Sequence, residues 1–469
     1  MKNVAIPLHG KMVFRSLHSA KLVKEFRNAD INPTFFVEKD SLPSDTAGYA
    51  ELFLENYYRI HANPYMALSS ELRWFLVQTQ STETRLRDHI ANSVWSTKSL
   101  FRTLSTSLFL SSLRYLKFLG PILIAGEDLF FPTKEQVTTL MDKKISSILV
   151  SGIGNRDFHI GAFFAKEAFK IKLPVISYIT NYDNLLSKGY RGFTPDRLIV
   201  WSKKMAKQAS NLMDIPENKI TIAGPSIFDR YFLPLSESRE AFLEKLGLNP
   251  KNKTIFYAGH TSIVTYFDFL NLMCKLKQKG ELLENCNLII RPYPHAKVYN
   301  WSGLDTFIAE IKKLPQVYVS NPFENSSDNF SELSIKEDTH ISTDELHALL
   351  KYSDVLINYF STIGLEAAIC DLPTIHIAYD KFTYQISPMA WSKTGALNAH
   401  NQDKQRRTAS FVVNSDEELV SAIEKYLNNP GLHRQERYEY ALSECEYLDG
   451  NSTKRLAEAV SAATHANNR

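Results

Sequence analysis

The sequence predicts an α/β protein with two Rossmann-like domains that face a cleft. Apolar strands, turns and amphipathic helices alternate along most of the chain, and one polar segment near the middle interrupts the alternation. Such alternation is typical of a parallel sheet that is covered by helices. The chain has 469 residues, which is more than one ordinary core holds, so we expect two packed domains.

The first series of elements lies before residue 230. NVAIPL reads as a strand, SLHSAKLVKEF as a helix and PTFFVE as the next strand, and ISSILVSG, HIGAFFAKEAFK and LPVISYIT repeat this order. The apolar stretches DRLIVWS and KITIAG predict two more strands. These elements define an N-terminal domain over residues 1–235.

The polar segment Leu233–Lys253 contains two prolines and precedes a fresh strand, TIFYAGH, so we interpret it as the joint between the domains. The second series runs through the strands NLIIRPYP, VYVS, DVLINY and LPTIHIAY, with helical stretches between them. It defines a C-terminal domain over residues 236–445. The remainder, 446–469, contains DGNSTKRLAEAVSAATH, which we predict to be a helix that packs against the body of the protein.

The composition is that of a folded protein, with 44% hydrophobic, 22% charged and 12% aromatic residues. A net charge of only +3 does not indicate an extended nucleic-acid surface, so we expect no nucleic-acid partner. Cys274, Cys286, Cys370 and Cys445 form no C-x-x-C pair, which favours reduced thiols in the cytoplasm. No apolar run reaches the roughly 18 residues of a membrane span. The N-terminal stretch also lacks the apolar core of a signal peptide.

The segment NYFSTIGLEAA combines a strand end, a polar turn and a helix start. Ser361, Thr362 and Gly364 lie in the turn, where backbone N–H groups at a helix start favour an anion such as phosphate. A helix N-cap is the second interpretation. A capping box needs Glu or Gln three residues after the cap, whereas Glu366 follows Ser361 by five residues and Thr362 by four. Glu366 therefore remains available to accept hydrogen bonds from a ribose diol.

This segment resembles the carboxyl-terminal domain of GT-B glycosyltransferases, and of the related nucleotide-sugar 2-epimerases and CDP-glycerol glycerophosphotransferases. In those families a strand, a Ser/Gly-rich turn and a Glu-bearing helix hold the donor nucleotide. A second stretch, Asn181–Phe232, begins NYDNLLSKG and is similar to one that closes the first domain of bacterial surface-polysaccharide glycosyltransferase-like proteins. The resemblance implies a GT-B fold, a nucleotide sugar as substrate and no cofactor.

Three departures from these families favour an inverting glycosyl transfer. Retaining enzymes carry two glutamates that are separated by seven residues. In this sequence Glu366 occupies the position of the second glutamate, and Asn358 occupies the position of the first. The stretch AGHTSIVTYFDF replaces the His-Arg and Glu-Asn signature of the 2-epimerases, and the sequence has no Trp-His-Gly of the glycerophosphotransferases. No set of histidines and carboxylates has a metal-ligand spacing, so we expect a metal-independent reaction.

Another turn that follows a predicted strand is a candidate part of the donor site. In YAGHTS, Gly259 permits close approach of the backbone, and His260, Thr261 and Ser262 can donate to a diphosphate. A polar strand-to-helix turn with a solvated histidine is the alternative.

A third candidate is the stretch LIIRPYPH, in which two prolines stiffen the loop that carries Arg291, Tyr293 and His295. It resembles the Arg-Pro-His-Pro turn of the glycerophosphotransferases, with Tyr293 in the place of the histidine. Arg291 would meet phosphate, and Tyr293 would stack on a base or sugar. The alternative is that Arg291 pairs with a carboxylate at the edge of the sheet.

The first domain supplies the candidates for a catalytic base. His9 directly follows the first strand, and a histidine, with a pKa of about 6.5, suits proton abstraction from an acceptor hydroxyl. Arg15 and His18 are accessory candidates. Asp157 and His159 are rivals of His9, and Asp157 could also orient His159. The alternative is that His9 has a structural role and makes its hydrogen bonds within the protein.

Three polar residues after the strand PVISYIT are predicted to reach the cleft, namely Asp183, Asn184 and Lys188. Lys188 would neutralise a donor phosphate or an anionic acceptor. An Asx-turn that caps the next segment is the alternative.

Segment 96–120 carries Lys98, Arg102, Arg114 and Lys117 among apolar residues and has no acidic residue. This pattern fits a peripheral helix at an anionic membrane interface. A helix pair packed on the first domain is the interpretation that we favour.

Together these features predict the transfer of a sugar from a nucleotide-sugar donor to a surface-polysaccharide or lipid-linked glycan acceptor. We expect the enzyme in the cytoplasm, with the inner face of the cell membrane as a peripheral location. A nucleotide-sugar 2-epimerase, a polyol-phosphate transferase and a non-catalytic GT-B-like binding protein remain open as alternatives.

Overall fold

The protein consists of two compact units. In the computed structural model, the first unit comprises Met1–Phe232 and Ser443–Arg469, and the second comprises Leu233–Leu442. The residues that the structure describes are 1–9, 11–39, 42, 47–55, 57–58, 63–77, 79, 81–83, 86, 108–113, 115–129, 134–155, 159–260, 269, 271–273, 276, 285–293, 303–320, 341–379 and 398–466.

The first unit is built on a parallel sheet of seven strands in the order β3-β2-β1-β4-β5-β6-β7. The order reverses between β1 and β4, and this reversal is the topological switch point at which doubly wound sheets bind ligands. The central strands are buried along almost their whole length, as expected for strands covered on both faces. The strands are β1 (Lys2–Pro7), β2 (Ile31–Val37), β3 (Tyr49–Glu51), β4 (Ile145–Ser151), β5 (Val175–Tyr178), β6 (Arg197–Val200) and β7 (Ile220–Ile222).

Two of the described helices of this unit, α2 and α8, start at serine caps. Ser19 accepts a hydrogen bond from the backbone N–H of Leu22, and Ser202 accepts one from Met205, so each satisfies a free donor at a helix start. The helices are α1 (Lys11–Leu17), α2 (Ala20–Asn28), α3 (Pro64–Phe75), α4 (Leu119–Leu129), α5 (Val137–Asp142), α6 (His159–Lys170), α7 (Asn184–Ser187) and α8 (Lys203–Met213).

The second unit has a parallel sheet of six strands in the order β10-β9-β8-β11-β12-β13. This is the Rossmann order, with the switch point between β8 and β11. The strands are β8 (Lys253–Ala258), β9 (Cys286–Arg291), β10 (Val317–Val319), β11 (Val355–Asn358), β12 (Thr374–Ile377) and β13 (Phe411–Val413). The helices are α9 (Arg239–Lys245), α10 (Gly303–Ile311), α11 (Ile341–Tyr352), α12 (Ile363–Ile369), α13 (Lys404–Thr408), α14 (Asp416–Asn428) and α15 (Arg434–Cys445), of which the last three residues belong to the first unit.

The last helix, α16 (Ser452–Ala466), belongs to the first unit. Its side chains Leu456 and Val460 are fully buried. The hydroxyl of Thr464 lies 2.7 Å from that of Ser147 on β4, which ties the helix to the sheet. The first unit is therefore assembled from both ends of the chain.

The predicted fold class is confirmed: the protein is α/β, with two Rossmann-like parallel sheets. The sequence pattern did not indicate β3 or β13, which have three residues each. In the part of the chain that the structure describes, no helix combines the length and hydropathy that crossing a bilayer requires.

Candidate functional site

Several of the predicted donor residues follow β8 and β11, the two strands at the switch point of the second sheet. β8 and β11 are neighbours, and Tyr257 is the register partner of Ile357, so the loops that follow these strands start side by side. The rings of His260 and Tyr359, one from each loop, lie 5.8 Å apart. The backbone N–H of Gly259 donates to the carbonyl oxygen of Arg291 at 2.9 Å, which joins the loop after β8 to the end of β9.

The turn after β11 has an unusual backbone. Phe360 adopts the left-handed conformation, with φ of 54°, which is uncommon for a bulky side chain. Thr362 occupies the N-cap of α12, but its side chain makes no capping hydrogen bond. The backbone N–H of Gly364 donates instead to the carbonyl oxygen of Ser361 at 3.1 Å. Ser361 and Thr362 are half-buried, and Glu366 lies in the first turn of this seven-residue helix.

A buried polar network lies beneath this turn, and sequence reasoning did not predict it. Asn358 at the end of β11 and His376 on β12 are almost completely buried, and Asn358 Oδ1 is 2.7 Å from His376 Nδ1. His376 Nε2 faces Nε of the buried Arg406 at 3.5 Å. Because a guanidinium can only donate, Nε2 is the acceptor and the Nδ1–H of His376 donates to Asn358.

The same network holds the turn in its conformation. Arg406 donates through Nη2 to the carbonyl oxygen of Ser361 at 3.0 Å, and the ring of Phe360 stacks on His376 with centroids 4.6 Å apart. Burial, together with the positive charges of Arg406 and Arg407, holds the pKa of His376 well below its usual value. The imidazole is therefore neutral at physiological pH. It acts as a structural bridge.

Asn358 contributes a further donor at this position. Its Nδ2 is buried and makes no hydrogen bond within the described structure, and it lies close to Gly364 at the start of α12. Leaving a buried polar group without a partner costs about 1–3 kcal/mol, so such groups are typically kept for function or for a bound ligand.

Arg291 is held by protein groups. Its Nη1 donates to Glu345 Oε2 at 3.0 Å and to Ser320 Oγ at 2.8 Å, and its side chain is almost fully buried. Arg291 is therefore paired with a carboxylate, as the alternative interpretation of the sequence had it. Tyr293 is half-buried and packs against the core of the second unit. The remaining predicted donor residues, Thr261, Ser262 and His295, lie outside the described residues.

In the first unit, His9 lies two residues after the end of β1, at the switch point between β1 and β4. Its Nδ1 is 2.8 Å from Oε1 of Glu38, and both side chains are substantially exposed. A carboxylate on Nδ1 orients the ring and leaves proton transfer to Nε2. The sequence pattern did not identify Glu38 as the partner, because the contact bridges two separate strand ends.

The rival base candidates differ in what the structure describes. Asp157 lies outside the described residues, and His159 begins α6, where only its backbone is described. Of the accessory candidates, Arg15 lies on α1 and His18 follows it. The Nε2 of His18 is 2.8 Å from the hydroxyl of Tyr49, and burial lowers the pKa of His18. This environment is that of a packed histidine.

The residues after β5 form a second group of buried polar atoms. Asp183 precedes α7 and makes no capping bond to it, but its Oδ2 accepts from Ser187 Oγ at 2.8 Å. Asn155, which follows β4, donates to the carbonyl oxygen of Asn184 at 2.9 Å. In the described part of the unit, Asn155 Oδ1, Asp183 Oδ1 and Asn184 Nδ2 are buried and make no hydrogen bond. Lys188 follows directly after α7.

Comparison with known proteins begins with the sequence. No family model matches it. Over 233 residues the chain is 24% identical to a teichoic acid glycerol-phosphate primase of Staphylococcus aureus (strain NCTC 8325 / PS 47), an alignment that covers 48% of this chain and 58% of that protein. The chain thus matches less than two thirds of the length of this relative.

Solved structures show the fold more completely. MnaA of S. aureus, determined with UDP, has a TM-score of 0.52 and 11% identity, over 100% of this chain and 97% of that one. A glycosyltransferase of Rickettsia africae ESF-5 has a TM-score of 0.50 and 10% identity, over 99% of both chains. These likenesses confirm the GT-B type of fold and the resemblance to GT-B enzymes that the sequence indicated.

Proposed function

We propose that this chain is a GT-B glycosyltransferase that moves a sugar from a nucleotide-sugar donor to a surface-polysaccharide or lipid-linked glycan acceptor, with inversion and without a metal ion. The observation that carries the proposal is the convergence of the loops after β8 and β11 at the switch point, where His260 lies beside Tyr359. Parallel sheets of this order bind their ligands at that position.

In this proposal the second unit binds the donor. Ser361 and Thr362 offer hydroxyl groups to the diphosphate, and Glu366 accepts from the ribose hydroxyls. His260 adds a donor from the loop after β8. Arg291, already bonded to Glu345 and Ser320, fixes the loop after β9, and its charge is largely neutralised there.

The first unit supplies the acceptor site and the base. His9, oriented by Glu38, takes the proton of the acceptor hydroxyl through Nε2. The hydroxyl oxygen then bonds to the anomeric carbon as the bond from that carbon to the diphosphate oxygen breaks, and the configuration inverts. Asp157 and His159 are the alternative base, and Lys188 would neutralise charge on the donor or acceptor.

A second candidate function is polyol-phosphate transfer. The curated relative is named a glycerol-phosphate primase, and this likeness favours an activated polyol phosphate as donor. A nucleotide-sugar 2-epimerase and a binding protein without catalysis are two further candidates. Cell-envelope polysaccharide synthesis is the setting that the glycosyl and polyol-phosphate candidates share.

The donor site is tested by thermal melting with UDP, GDP, CDP, CMP and dTDP. A nucleotide at 100 times its Kd should raise the free energy of unfolding by about 2.7 kcal/mol. Glu366→Ala should lose most of the shift given by the best nucleotide. The matched control is Glu424→Ala, an exposed glutamate on α14 of the same unit, which should keep the shift. Absence of a shift with all five nucleotides would refute the donor site.

Product analysis separates the candidate reactions. A 2-epimerase converts a nucleotide sugar without an acceptor, whereas a transferase needs acceptor from a membrane extract. The mass added to the acceptor distinguishes a sugar from a glycerol phosphate. A binding protein would give the thermal shift and no product, and that result would contradict the proposed transfer.

A further inference from the structure

Buried polar atoms without a hydrogen bond lie on the loops that follow β4 and β5 in the first unit. Within the described residues, Asn155 Oδ1, Asp183 Oδ1 and Asn184 Nδ2 have no partner. Asn155 and Asn184 are almost fully buried, and Asp183 is half-buried. Buried polar groups are normally bonded, and an exception calls for an explanation such as a bound ligand. Both loops lie at the carboxyl ends of parallel strands, where sheets of this order bind ligands.

These two loops are bonded to each other. Asn155 Nδ2 donates to the backbone carbonyl oxygen of Asn184 at 2.9 Å, so the unpaired Oδ1 belongs to the amide group that contacts the second loop. The backbone N–H of Gly192 donates to the carbonyl oxygen of Ile153 at 2.7 Å. A Cβ added to Gly192 would lie 2.4 Å from the carbonyl oxygen of Gly154. The backbones of the two loops therefore pack directly against each other at this point.

Side chains from α3 and from the segment after it hold the backbone of both loops. Arg73 on α3 donates through Nη1 to the carbonyl oxygens of Gly154 at 3.2 Å and Tyr190 at 2.9 Å. Thr79, which follows α3, donates through Oγ1 to the carbonyl oxygen of Leu186 at 3.0 Å. The loops are thus fixed by protein contacts, and these contacts leave the three polar atoms unpaired.

The chemistry of the three atoms indicates which ligand they fit. Asn155 Oδ1 and Asp183 Oδ1 accept hydrogen bonds, whereas Asn184 Nδ2 donates them. An ammonium group offers no acceptor to the amide N–H, and the carboxylate repels a phosphate. Arg73 does not offset this repulsion, because its Nε is paired with the buried carboxylate of Glu127 at 2.9 Å. A hydroxyl group both donates and accepts, so a ligand with neighbouring hydroxyl groups satisfies all three atoms.

We propose that the loops after β4 and β5 form a subsite for the hydroxyl groups of a polyol or a sugar ring. The ligand enters at the half-buried Asp183, and its hydroxyl groups bond to this carboxylate and to the amides of Asn155 and Asn184. The inference rests on the proposed function only in calling this ligand the acceptor of the transfer. In that function the subsite holds the acceptor through neutral hydroxyl groups.

The test is binding of small polyhydroxylated probes to the full chain, measured by saturation-transfer NMR. Glycerol represents a polyol, and the methyl glycosides of glucose, galactose, mannose and N-acetylglucosamine represent sugar rings. At least one probe should bind, and neither methylammonium nor inorganic phosphate should compete with it. Asp183→Asn keeps an acceptor for Ser187 Oγ and turns the unpaired oxygen into an N–H donor. This variant should bind the probe about tenfold more weakly.

Asn184→Leu separates ligand binding from a structural role of the amide. Because Nδ2 of Asn184 has no partner in the described structure, an apolar side chain of similar size should maintain or raise the melting temperature. The same change should weaken probe binding about tenfold. The control is Asn287→Leu in the second unit, where the equally buried Nδ2 donates to Asn249 O at 2.9 Å and Thr254 Oγ1 at 3.2 Å. This control should lower the melting temperature and bind the probe as wild type does.

Three results would overturn the proposal: no binding of any probe, unchanged probe binding in both Asp183→Asn and Asn184→Leu, or displacement of the probe by methylammonium or phosphate. The first of these is also the result expected if ordered water alone satisfies the three atoms. The nucleotide shifts report on the second unit. A chain that shows a nucleotide shift and binds no probe therefore loses this subsite and keeps the proposed transfer, whereas probe binding without any nucleotide shift gives the reverse.

Discussion

His376 shows how one buried side chain sets the shape of the candidate donor turn. It donates to Asn358, accepts from Arg406 and carries the ring of Phe360 on its face. These contacts require a neutral imidazole, since a protonated ring would place a third positive charge beside Arg406 and Arg407. The stability of the second unit should therefore depend on pH through this residue.

The first prediction concerns that pH dependence. The folded state holds the pKa of His376 below the unfolded value of about 6.5. As the pH falls below that value, the unfolded chain binds a proton that the folded chain does not. Stability contributed by the neutral ring is thus present at higher pH and is lost on acidification, by at most about 1.4 kcal/mol per pH unit. His376→Gln, which keeps an N–H donor for Asn358, should show a smaller loss between pH 7 and pH 5.

Urea unfolding at several pH values measures this effect. Burial also lowers the pKa of His18 and of His433, so the variant should retain part of the slope. His465→Gln, at an exposed site on α16, is the control for the change from histidine to glutamine, and His376→Gln should lose more of the wild-type slope than this control. An unchanged slope in His376→Gln would show that His376 is not neutral in the folded protein.

At this scale the sequence reveals only part of the site. A histidine inside the apolar strand PTIHIAY is a readable signal, because strand interiors rarely hold an unpartnered polar side chain. Arg406 gives no such signal, since it lies in the polar stretch DKQRRT, which resembles a solvated helix. Its burial depends on the contact with β12, thirty residues earlier in the chain.

Among the elements, α12 is the one whose packing determines the candidate donor site. Gly364 in its first turn lies over His376 and Arg406, and a Cβ added there would be 2.8 Å from His376 Cε1 and 3.3 Å from Arg406 Nη2. The His376 ring is buried and stacked, so it cannot move aside easily. A methyl group should therefore push α12 away from β12.

The corresponding prediction is that Gly364→Ala lowers the free energy of unfolding of the second unit by about 1–3 kcal/mol and weakens nucleotide binding. In an unobstructed helix the same change would stabilise the protein, because alanine has the higher helix propensity. Gly431→Ala is the control, since the nearest atom to its added Cβ would be Asn429 Oδ1 at 3.5 Å. Equal stability of Gly364→Ala and wild type would contradict the close packing of α12.

The elements that the sequence predicts best are those in which apolar residues recur with a clear period. β8, β11 and α12 have clear apolar patterns, so the positions of the turns between them are readable from the sequence. β3 and β13 have three residues each and were not predicted, although β7 and β10, which are equally short, were. The sequence also does not reveal that Glu127 of α4 is buried. Its hydrogen-bond donor, Arg73, lies 54 residues earlier in the chain.

For the whole molecule, the sequence predicts two α/β units and a C-terminal helix, and the amphipathic pattern of α16 shows which side of the helix is buried. The pattern does not show which partner covers it. The structure gives that partner as the first unit, in which α16 packs with α2 and with the turn Ser226–Phe232. Asp229 in this turn is buried, and its carboxylate accepts hydrogen bonds from the first residues of α16.

The last prediction follows from that junction. The carboxylate of Asp229 accepts from the backbone N–H groups of Ser452 at 2.9 Å and Thr453 at 2.8 Å, and it pairs with Lys21 Nζ at 3.1 Å. Asp229→Ala removes an acceptor from two helix-start donors and a partner from one ammonium group. We expect a loss of about 2 kcal/mol or more in the stability of the first unit. Hydrogen exchange should accelerate in peptides of α16 and remain unchanged in peptides of β11 and α12.

Glu458→Ala separates this effect from a general loss of charge on the helix. Glu458 is exposed and 3.9 Å from Lys454, and such a surface pair contributes little to stability. Exchange in α16 should therefore match wild type in this variant. If α16 in Asp229→Ala stays as protected as in wild type, the junction does not hold the two ends of the chain together. Lys21→Met removes the ammonium, which donates to Asp229 and, at 2.7 Å, to the carbonyl oxygen of Gly450, and it leaves both backbone N–H groups bonded to Asp229. Its effect should be smaller than that of Asp229→Ala.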